Sequence, residues 1–240
     1  GVELDGINSD GSIFLLNTDS ATGEEVGFVI GAGGVTAGAT ASVGLEADGD
    51  IASTEETGVV AGSISGGSAV LVTAADVDVN TAVTDLSVDA EDVTIVQAGD
   101  LRVSPGTDSA GVELLGVTAL NDASITVTAG GILESTGVLD AENAVITTAN
   151  GIDLLTSVDS LVANAESGVI EIIESDGLTM GTGGITSTDD VSITLTLGAL
   201  SSSLQTITGD DVAVSLLDAA ANDIDILTNA NSVTASATNG

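Results

Sequence analysis

Two aspartate doublets are the residues of this chain whose type and spacing best suit a chemical role. Asp189-Asp190 and Asp210-Asp211 lie about 21 residues apart, and each precedes a short aliphatic run. If the two runs stack as successive coils, their carboxylates lie roughly 4.8 Å apart. Carboxylate oxygens are preferred ligands of Ca²⁺, and a cation between them relieves their repulsion. The four residues Asp189, Asp190, Asp210 and Asp211 are therefore a candidate calcium site.

A structural interpretation of the same residues competes with the calcium site. Asp and Asn are frequent in turns because their side chains bond to nearby backbone groups. The residues that recur at this turn are Asp76, Asp100, Asp122, Asn143, Asp189, Asp190, Asp210, Asp211 and Asn231. The glycine-rich nonapeptide of calcium-binding β-rolls is absent, so calcium is an optional ligand in this hypothesis and no cofactor is required.

The composition removes most catalytic chemistry. The chain contains no His, Cys, Tyr or Lys, and Arg102 is its only basic side chain. A Ser/His/Asp triad, a Cys nucleophile and a His-rich zinc site cannot be built from these residues. A pair of carboxylates, as used by glycosidases, remains available, but the aromatic content is only 1%. We predict that the chain is not an enzyme, with a carbohydrate-active β-helix as an alternative.

The net charge limits the partners. With 37 acidic residues and one basic residue, the formal charge is -36, which repels nucleic acid and anionic membranes. No apolar run approaches the roughly 18 residues of a membrane helix. We expect neither nucleic-acid binding nor membrane insertion. Adaptation to high salt, binding of divalent cations and colloidal stability of an extracellular surface remain alternative explanations of the charge.

Short strands recur throughout the chain and would position these carboxylates. Aliphatic residues alternate with polar ones, which predicts strands with one buried face. The step between similar strands is about 21 to 24 residues, in the range of solenoid repeats. The strands form three interleaved series: one begins near Val77, Leu101, Ile125, Val145, Val169, Val191, Val212 and Val233; another near Leu86, Val112, Ile132, Ile152, Leu178 and Ile224; the third near Val93, Val117, Leu139, Leu161, Ile185 and Leu204.

This interleaving predicts an all-β chain that folds as a parallel β-helix, or β-solenoid, with about three short strands per coil. We expect residues 1–240 to form a single continuous solenoid that is a fragment or repeat unit of a longer fibre. The less regular N-terminal third includes a predicted strand at Val59-Val60. Residues 216–221 are the best helical candidate and are too few to form an isolated helix.

Two segments, Gly183-Gly184-Ile185-Thr186-Ser187 and Asp190-Val191-Ser192-Ile193-Thr194-Leu195, are similar to known repeats. The stretch from Gly130 to Ile226, which contains both segments, resembles the repeats of filamentous-haemagglutinin-like adhesins and autotransporter passenger domains. The resemblance implies a secreted, right-handed, rod-like β-helix on a bacterial surface that serves in adhesion or aggregation. The chain differs from such proteins in having no lysine and no recognisable secretion domain.

The leading functional hypothesis is a structural or adhesive segment of an extracellular fibre at the bacterial cell surface. Its expected partners are neighbouring copies or flanking repeats of the same fibre, together with glycans or proteins of a host or neighbouring cell. Two alternatives stay open: a filament subunit that polymerises end to end through open terminal coils, and the carbohydrate-active β-helix.

Overall fold

The computed structural model describes residues 2–17, 27–53, 62–217 and 224–238. These residues form 26 β-strands and no helix, and strands account for 65% of the structure. The described part of the chain therefore contains no helix long and apolar enough to cross a membrane. The predicted strand at Val59-Val60 and residues 218–221 of the helical candidate lie outside the described residues, whereas Leu216 ends a strand.

The strands follow one another with short turns. The first nine are β1 Val2–Leu4, β2 Ile7–Asn8, β3 Ile13–Asn17, β4 Phe28–Ile30, β5 Val35–Thr36, β6 Ser42–Ala47, β7 Ile51–Ser53, β8 Ser63–Ser65 and β9 Ser68–Thr73. The next nine are β10 Val77–Ala82, β11 Asp85–Ala90, β12 Val93–Gln97, β13 Arg102–Val103, β14 Gly106–Thr107, β15 Glu113–Leu114, β16 Gly116–Ala119, β17 Asp122–Val127 and β18 Val138–Thr148. The last eight are β19 Ile152–Ala165, β20 Ile170–Glu174, β21 Leu178–Thr186, β22 Val191–Leu195, β23 Leu200–Thr208, β24 Asp211–Leu216, β25 Ile224–Asn229 and β26 Ser232–Ala237.

Parallel pairing joins 24 of these strands into one long, coiled sheet. Each strand pairs with the equivalent strand of the next coil, for example β20 with β22 and β22 with β24. The long strand β19 contributes to two faces, because Ile152–Thr156 pairs with β20 whereas its later residues pair with β21. The predicted all-β parallel solenoid is confirmed. The hairpin β14–β15 is the antiparallel exception among the described strands.

The register agrees with the first predicted series in the C-terminal coils and differs from it earlier, and in the third series Ile185 pairs with Ile207 instead of with Leu204. Val191, Val212 and Val233 stack in one line, as predicted. Val77, in contrast, pairs with Val93 instead of with Leu101, which bridges to Ile132. The cause is the short length of this coil, because the paired residues Thr81 and Gln97 are only 16 positions apart in the sequence.

Coil lengths vary strongly in the first half of the rod. Equivalent positions are 26 residues apart at Asp50 and Asp76 and 30 apart at Asp92 and Asp122, where the β14–β15 hairpin is inserted. In the last coils the step is 21 residues along β20, β22, β24 and β26, as between Asp190 and Asp211, whereas on the neighbouring face Leu178 pairs with Leu200 and Leu200 with Ile224. A single period fitted to the whole sequence therefore misaligns the early strands.

One narrow aliphatic core runs along the rod. Alternate residues of each strand point inward, so equivalent residues form ladders such as Ile95, Ile125 and Ile146, each 0% exposed. Burying each such side chain contributes roughly 1.5–3 kcal/mol. Because the core is only a few side chains wide, the chain fills it with almost no aromatic residues. Phe28 is buried among the aliphatic residues, whereas Phe14 is exposed.

Five residues of the predicted strand series are exposed, namely Val112, Val145, Val169, Leu204 and Val233, and two of them lie at local irregularities. Leu204 has a φ of 68° and is 86% exposed, within the part of β23 where the register shifts between Ser201 and Thr206. Val112 is also exposed, and its backbone N–H bonds to the Asp108 carboxylate in the hairpin loop. At both positions a local bulge or insertion interrupts the alternation of inward-facing and outward-facing residues.

Candidate functional site

The two predicted aspartate doublets lie one coil apart at the same turn. The backbone N–H of Asp211 donates to Oδ1 of Asp190 at 3.2 Å, and the backbone N–H of Asp210 donates to the carbonyl of Asp189 at 2.8 Å. The structure therefore brings all four predicted residues together along one edge of the rod.

Other groups also donate to these carboxylates. Ser232 Oγ donates to Oδ1 of Asp211 at 2.7 Å, and Asn231 Nδ2 donates to Oδ1 of Asp210. The backbone N–H of Gly168 donates to Oδ2 of Asp189 at 2.6 Å. Each carboxylate thus accepts a hydrogen bond from a neighbouring coil, so the doublets act as links between coils.

The same link occurs in the earlier coils. The backbone N–H of Asp122 donates to Oδ1 of Asp92 at 2.9 Å, and Asn143 Nδ2 donates to Oδ1 of Asp122 at 2.9 Å. Asp76 is likewise linked to Asp50 at 3.3 Å. Asp100, which was predicted in this line, instead accepts from the Gly131 backbone N–H at 3.1 Å. Turn carboxylates therefore fix the register of coils of several lengths.

The geometry of the doublets bears on the calcium hypothesis in one respect. Within residues 2–17, 27–53, 62–217 and 224–238, no group of three or more acidic side chains is arranged so that it could hold a metal ion. The hydrogen bonds described above support the competing interpretation of the doublets as turn formers. Calcium binding at Asp189, Asp190, Asp210 and Asp211 stays a prediction.

Acidic side chains also line two surface grooves. One groove, of about 330 Å³, is bordered by Asp140, Glu142, Asp159 and Asp176. Burial raises the pKa of Asp140 above its ordinary value, and the negative charge of Asp176 adds to the increase. A second groove, of about 400 Å³, contains Asp100, Glu134 and Asp153. Both surfaces favour cations over anions, and neither contains a basic side chain.

Carboxylates at the centres of strands face outward, as the alternation of strand residues requires. Asp78, Glu113, Glu171 and Asp225 are exposed. Asp153 is half-buried, and its pKa is raised by burial and by the neighbouring charges of Glu171 and Glu134. The four exposed residues belong to the solvated acidic surface of the rod.

A buried carboxyl group that the sequence analysis missed lies at the end of β20. Glu174 is 0% exposed. Thr156 Oγ1 donates to its Oε2 at 2.7 Å, and the backbone N–H groups of Val158 and Ser175 donate to its Oε1 at 3.3 and 2.9 Å. Burial raises the pKa of Glu174 to about 7, although the hydrogen bond from Thr156 acts in the opposite direction. This group therefore changes its charge near neutral pH.

Asp176 is the acidic neighbour of Glu174. Its negative charge contributes to the raised pKa of Glu174, and its backbone N–H donates to Glu174 Oε1 at 3.3 Å. Asp176 also borders the acidic groove that contains Asp140. The charge on Glu174 is thus coupled to the charges that line this groove.

Gln97 at the end of β12 occupies an equivalent corner. Thr81 Oγ1 and the backbone N–H of Val83 donate to its Oε1 at 2.7 and 3.3 Å. Its Nε2 donates to the carbonyls of Val83 and Asp100 at 2.7 and 3.2 Å. In both corners a Thr and the backbone N–H two residues later, in the preceding coil, bond to one buried Gln or Glu.

Strand alternation contained the signal for both corners. Ile170, Ile172 and Glu174 share one face of β20, just as Val93, Ile95 and Gln97 share one face of β12. A polar residue that continues an inward-facing aliphatic series is expected to be buried and to need partners.

Comparison of the chain with protein-family models, with curated proteins and with solved structures finds no match.

Proposed function

We propose that this chain is a structural segment of an extracellular fibre on a bacterial surface, in which coil-on-coil pairing continues along the fibre axis. In a rod with one continuous core, each coil contacts only its neighbours. The same strand pairing and core packing can therefore repeat from each coil to the next. The proposal is supported above all by the exposure of core positions in the first and last described coils.

The last described coil leaves core positions uncovered. Val233 in β26 is aligned with Val212 and Val191. Those two residues are each 1% exposed, whereas Val233 is 46% exposed. Strand β26 pairs with β24 on one side and has no second partner among the described strands. Its free edge has the hydrogen-bonding groups and the apolar surface that another coil would cover.

The first described coil has the same property. Val2 in β1 pairs with Phe28 of the following coil. Phe28 is 3% exposed, whereas Val2 is 45% exposed. Both described ends therefore offer a parallel strand edge next to core-facing aliphatic side chains. Flanking repeats of the same fibre or neighbouring copies of this chain are the partners that fit these edges.

The charge distribution supports an extended, well-separated rod. With a formal charge of -36, two rods repel each other laterally, and this repulsion maintains solubility. End-to-end contact brings aliphatic edges together, where burial of apolar surface favours association. The acidic surface thus favours growth along the axis over lateral clumping.

Immunogold electron microscopy of native surface material tests the proposed function. An antibody against this chain should label thin extracellular rods at the cell surface. Labelling confined to the cell interior, or to material without rods, would refute the proposal. A chain that occurs once per long polypeptide should label each rod at one position.

A filament subunit that polymerises end to end is the second candidate, because the same free edges would join two copies. The native rods would then show label at regular axial intervals. Sedimentation of the purified chain in high salt gives an independent measurement, since salt screens the repulsion between copies. Val233→Asp should block association, whereas Thr234→Asp, an outward-facing control on the same strand, should leave it unchanged.

A further inference from the structure

A groove of about 290 Å³ lies where the β14–β15 hairpin folds back over earlier coils. The backbone N–H of Ser109 in the hairpin loop donates to Oε2 of Glu46 at 3.2 Å, although the two residues are 63 positions apart. Gly106 lies directly against Val70 and Ser87, where an added methyl group would overlap the Ser87 side chain. The hairpin forms one wall of the groove, and strands β9 and β11 form its floor.

The opposite wall contains the exposed aromatic residue of the chain. Phe14 is 51% exposed, and Phe28, the other aromatic residue of the sequence, is buried. The Phe14 ring lies over Gly44 of the next coil, because any Cβ at Gly44 would overlap the ring. A glycine at this position lets the ring lie against the sheet at the edge of the groove.

Hydroxyl groups and one carboxylate line a polar edge of the groove. Ser42, Ser68 and Asp85 occupy one register line across three coils. Ser68 Oγ donates to Ser42 Oγ at 2.7 Å. Asp85 Oδ1 accepts from Ser104 Oγ at 2.8 Å and from Arg102 Nη1 at 3.3 Å. These contacts hold the carboxylate and the hydroxyls in fixed positions.

Local charge distinguishes this groove from the rest of the surface. Arg102 is the only basic side chain in the sequence, and it forms its ion pair with Asp85 beside the groove. The Asp85 charge is therefore compensated within a chain of formal charge -36. A cation gains little from a carboxylate that already has an ion-pair partner, and an anion is repelled by the surrounding surface. The groove consequently favours a neutral, polar ligand.

A sugar ring has the surface that matches this arrangement. One face of many pyranose rings presents C–H groups, which pack on the face of an aromatic ring, and the rim carries hydroxyls that both donate and accept hydrogen bonds. Phe14 offers the aromatic face. Ser42, Ser68 and Asp85 offer hydroxyl and carboxylate groups. The volume lies near the lower limit of ligand pockets, roughly 300–1,000 Å³, which suits one ring better than a long oligosaccharide.

We propose that the groove between Phe14 and the β14–β15 hairpin binds a neutral sugar residue. The proposal extends the fibre function, on which it rests, by giving the rod an adhesive site and a ligand class. Binding is a property of the separate chain, and the fibre test concerns native material, so failure of one proposal is distinguishable from failure of the other.

A glycan array that carries neutral, sialylated and sulfated glycans is the first test, followed by ligand-observed NMR with the methyl glycosides of galactose, glucose, mannose and N-acetylglucosamine. Choline and spermidine serve as cationic probes. We expect saturable binding of at least one neutral sugar and no binding of the acidic glycans. A neutral panel without any bound sugar, or binding of the cationic probes alone, would overturn the proposal.

Two variants and a matched control locate the binding. Phe14→Ala should weaken the affinity for the neutral sugar about tenfold or more, since it removes the aromatic face. Asp85→Asn should weaken it to a smaller extent. Leu16→Ala is the control, because Leu16 is an exposed aliphatic residue on the same strand as Phe14. Circular dichroism checks that each variant retains its fold. Unchanged affinity in folded Phe14→Ala would place the sugar elsewhere and refute the assignment.

Discussion

Two strand ends on different coils, Gln97 in β12 and Glu174 in β20, bury a polar side chain in closely related ways. Both accept from a threonine hydroxyl at 2.7 Å and from a backbone N–H at 3.3 Å. They differ in their remaining hydrogen bonds. Gln97 also donates through Nε2 to two carbonyls, whereas Glu174 accepts from two backbone N–H groups of its own turn.

The difference shows that one structural position can be filled by a neutral or by a titratable group. The amide of Gln97 is uncharged at every pH. The carboxyl of Glu174 has a pKa raised to about 7 by burial, so it is charged or neutral according to the medium. Either residue supplies an acceptor for the donors at the corner. Where Glu takes the place of Gln, the stability of that coil becomes dependent on pH.

Removing either side chain should give the largest effect. Glu174→Ala leaves several donors without partners, and Gln97→Ala leaves both donors and carbonyl acceptors without partners. We expect a loss of unfolding free energy of about 3 kcal/mol or more in both. Urea denaturation at pH 5, where Glu174 is protonated, allows the two corners to be compared in the neutral state. A loss below about 1 kcal/mol in either variant would show that water replaces the missing side chain.

The dependence on pH should separate the corners. Because folding raises the pKa of Glu174 from 4.5 to about 7, the folded state binds the proton more tightly than the unfolded state. The resulting stabilisation is complete below pH 4.5 and is lost as the pH rises through about 7, a change of about 3 kcal/mol. Urea denaturation across this range should show the decline in the native chain and a shallower decline in Glu174→Gln.

Exchanging the residue in the other corner is the matched control. Gln97→Glu introduces a buried carboxyl group, so it should steepen the loss of stability with rising pH. The remaining carboxylates are the same in all three chains, which cancels their contribution to the differences. Equal pH profiles for the native chain and Glu174→Gln would mean that Glu174 keeps its ordinary pKa in the folded state.

The threonine partners should give smaller effects of two kinds. Thr81→Val and Thr156→Val each remove one buried hydrogen bond, which costs about 1 kcal/mol. Since the Thr156 hydroxyl lowers the pKa of Glu174, Thr156→Val should also move the pH midpoint upward. Carbon-13 NMR of the Glu174 carboxyl measures that midpoint directly. Thr81→Val, its counterpart at Gln97, should leave the midpoint unchanged.

The exposed aspartate doublets should give the smallest effect. Asp190→Asn with Asp211→Asn retains most hydrogen bonds to the next coil, so we expect a change below about 1 kcal/mol. Melting temperatures in millimolar calcium and in sodium chloride of equal ionic strength test the calcium hypothesis. An increase specific to calcium that the double variant reduces would support coordination. Equal increases in both salts would leave screening as the explanation.

Strand alternation in the sequence was sufficient to predict the all-β parallel solenoid, because nearly every inward position is aliphatic. It also predicted the stacking of Val191, Val212 and Val233. The early register was not predictable from one period, since the coil between Thr81 and Gln97 spans 16 residues and the coil between Asp92 and Asp122 spans 30. Only the pairing of strands in three dimensions reveals which residues become neighbours.

The candidate sites were predictable to different degrees. The aspartate doublets follow from their spacing, and the inward position of Glu174 could have been inferred from its place after Ile170 and Ile172. The groove beside Phe14 could not, because the hairpin that closes it contacts Glu46 from 63 residues away. Such a contact depends on how an insertion folds back, and no local sequence pattern specifies that.

The constant 21-residue step along β20, β22, β24 and β26 makes each of these strands interchangeable with the next. Val191 and Val212 occupy equivalent places, with Ile170 paired to the first and Val233 to the second. Excision of residues 191–211 would join Asp190 to Val212, and Val212 would then take the place of Val191 on Ile170. Ile185 would likewise meet Thr228, which now pairs with Ile207. A gene encoding this rod could therefore lengthen or shorten it by whole coils, through duplication or deletion, and keep this face in register, while the turn before Ile224, which now pairs with Leu200, would absorb the difference in coil length.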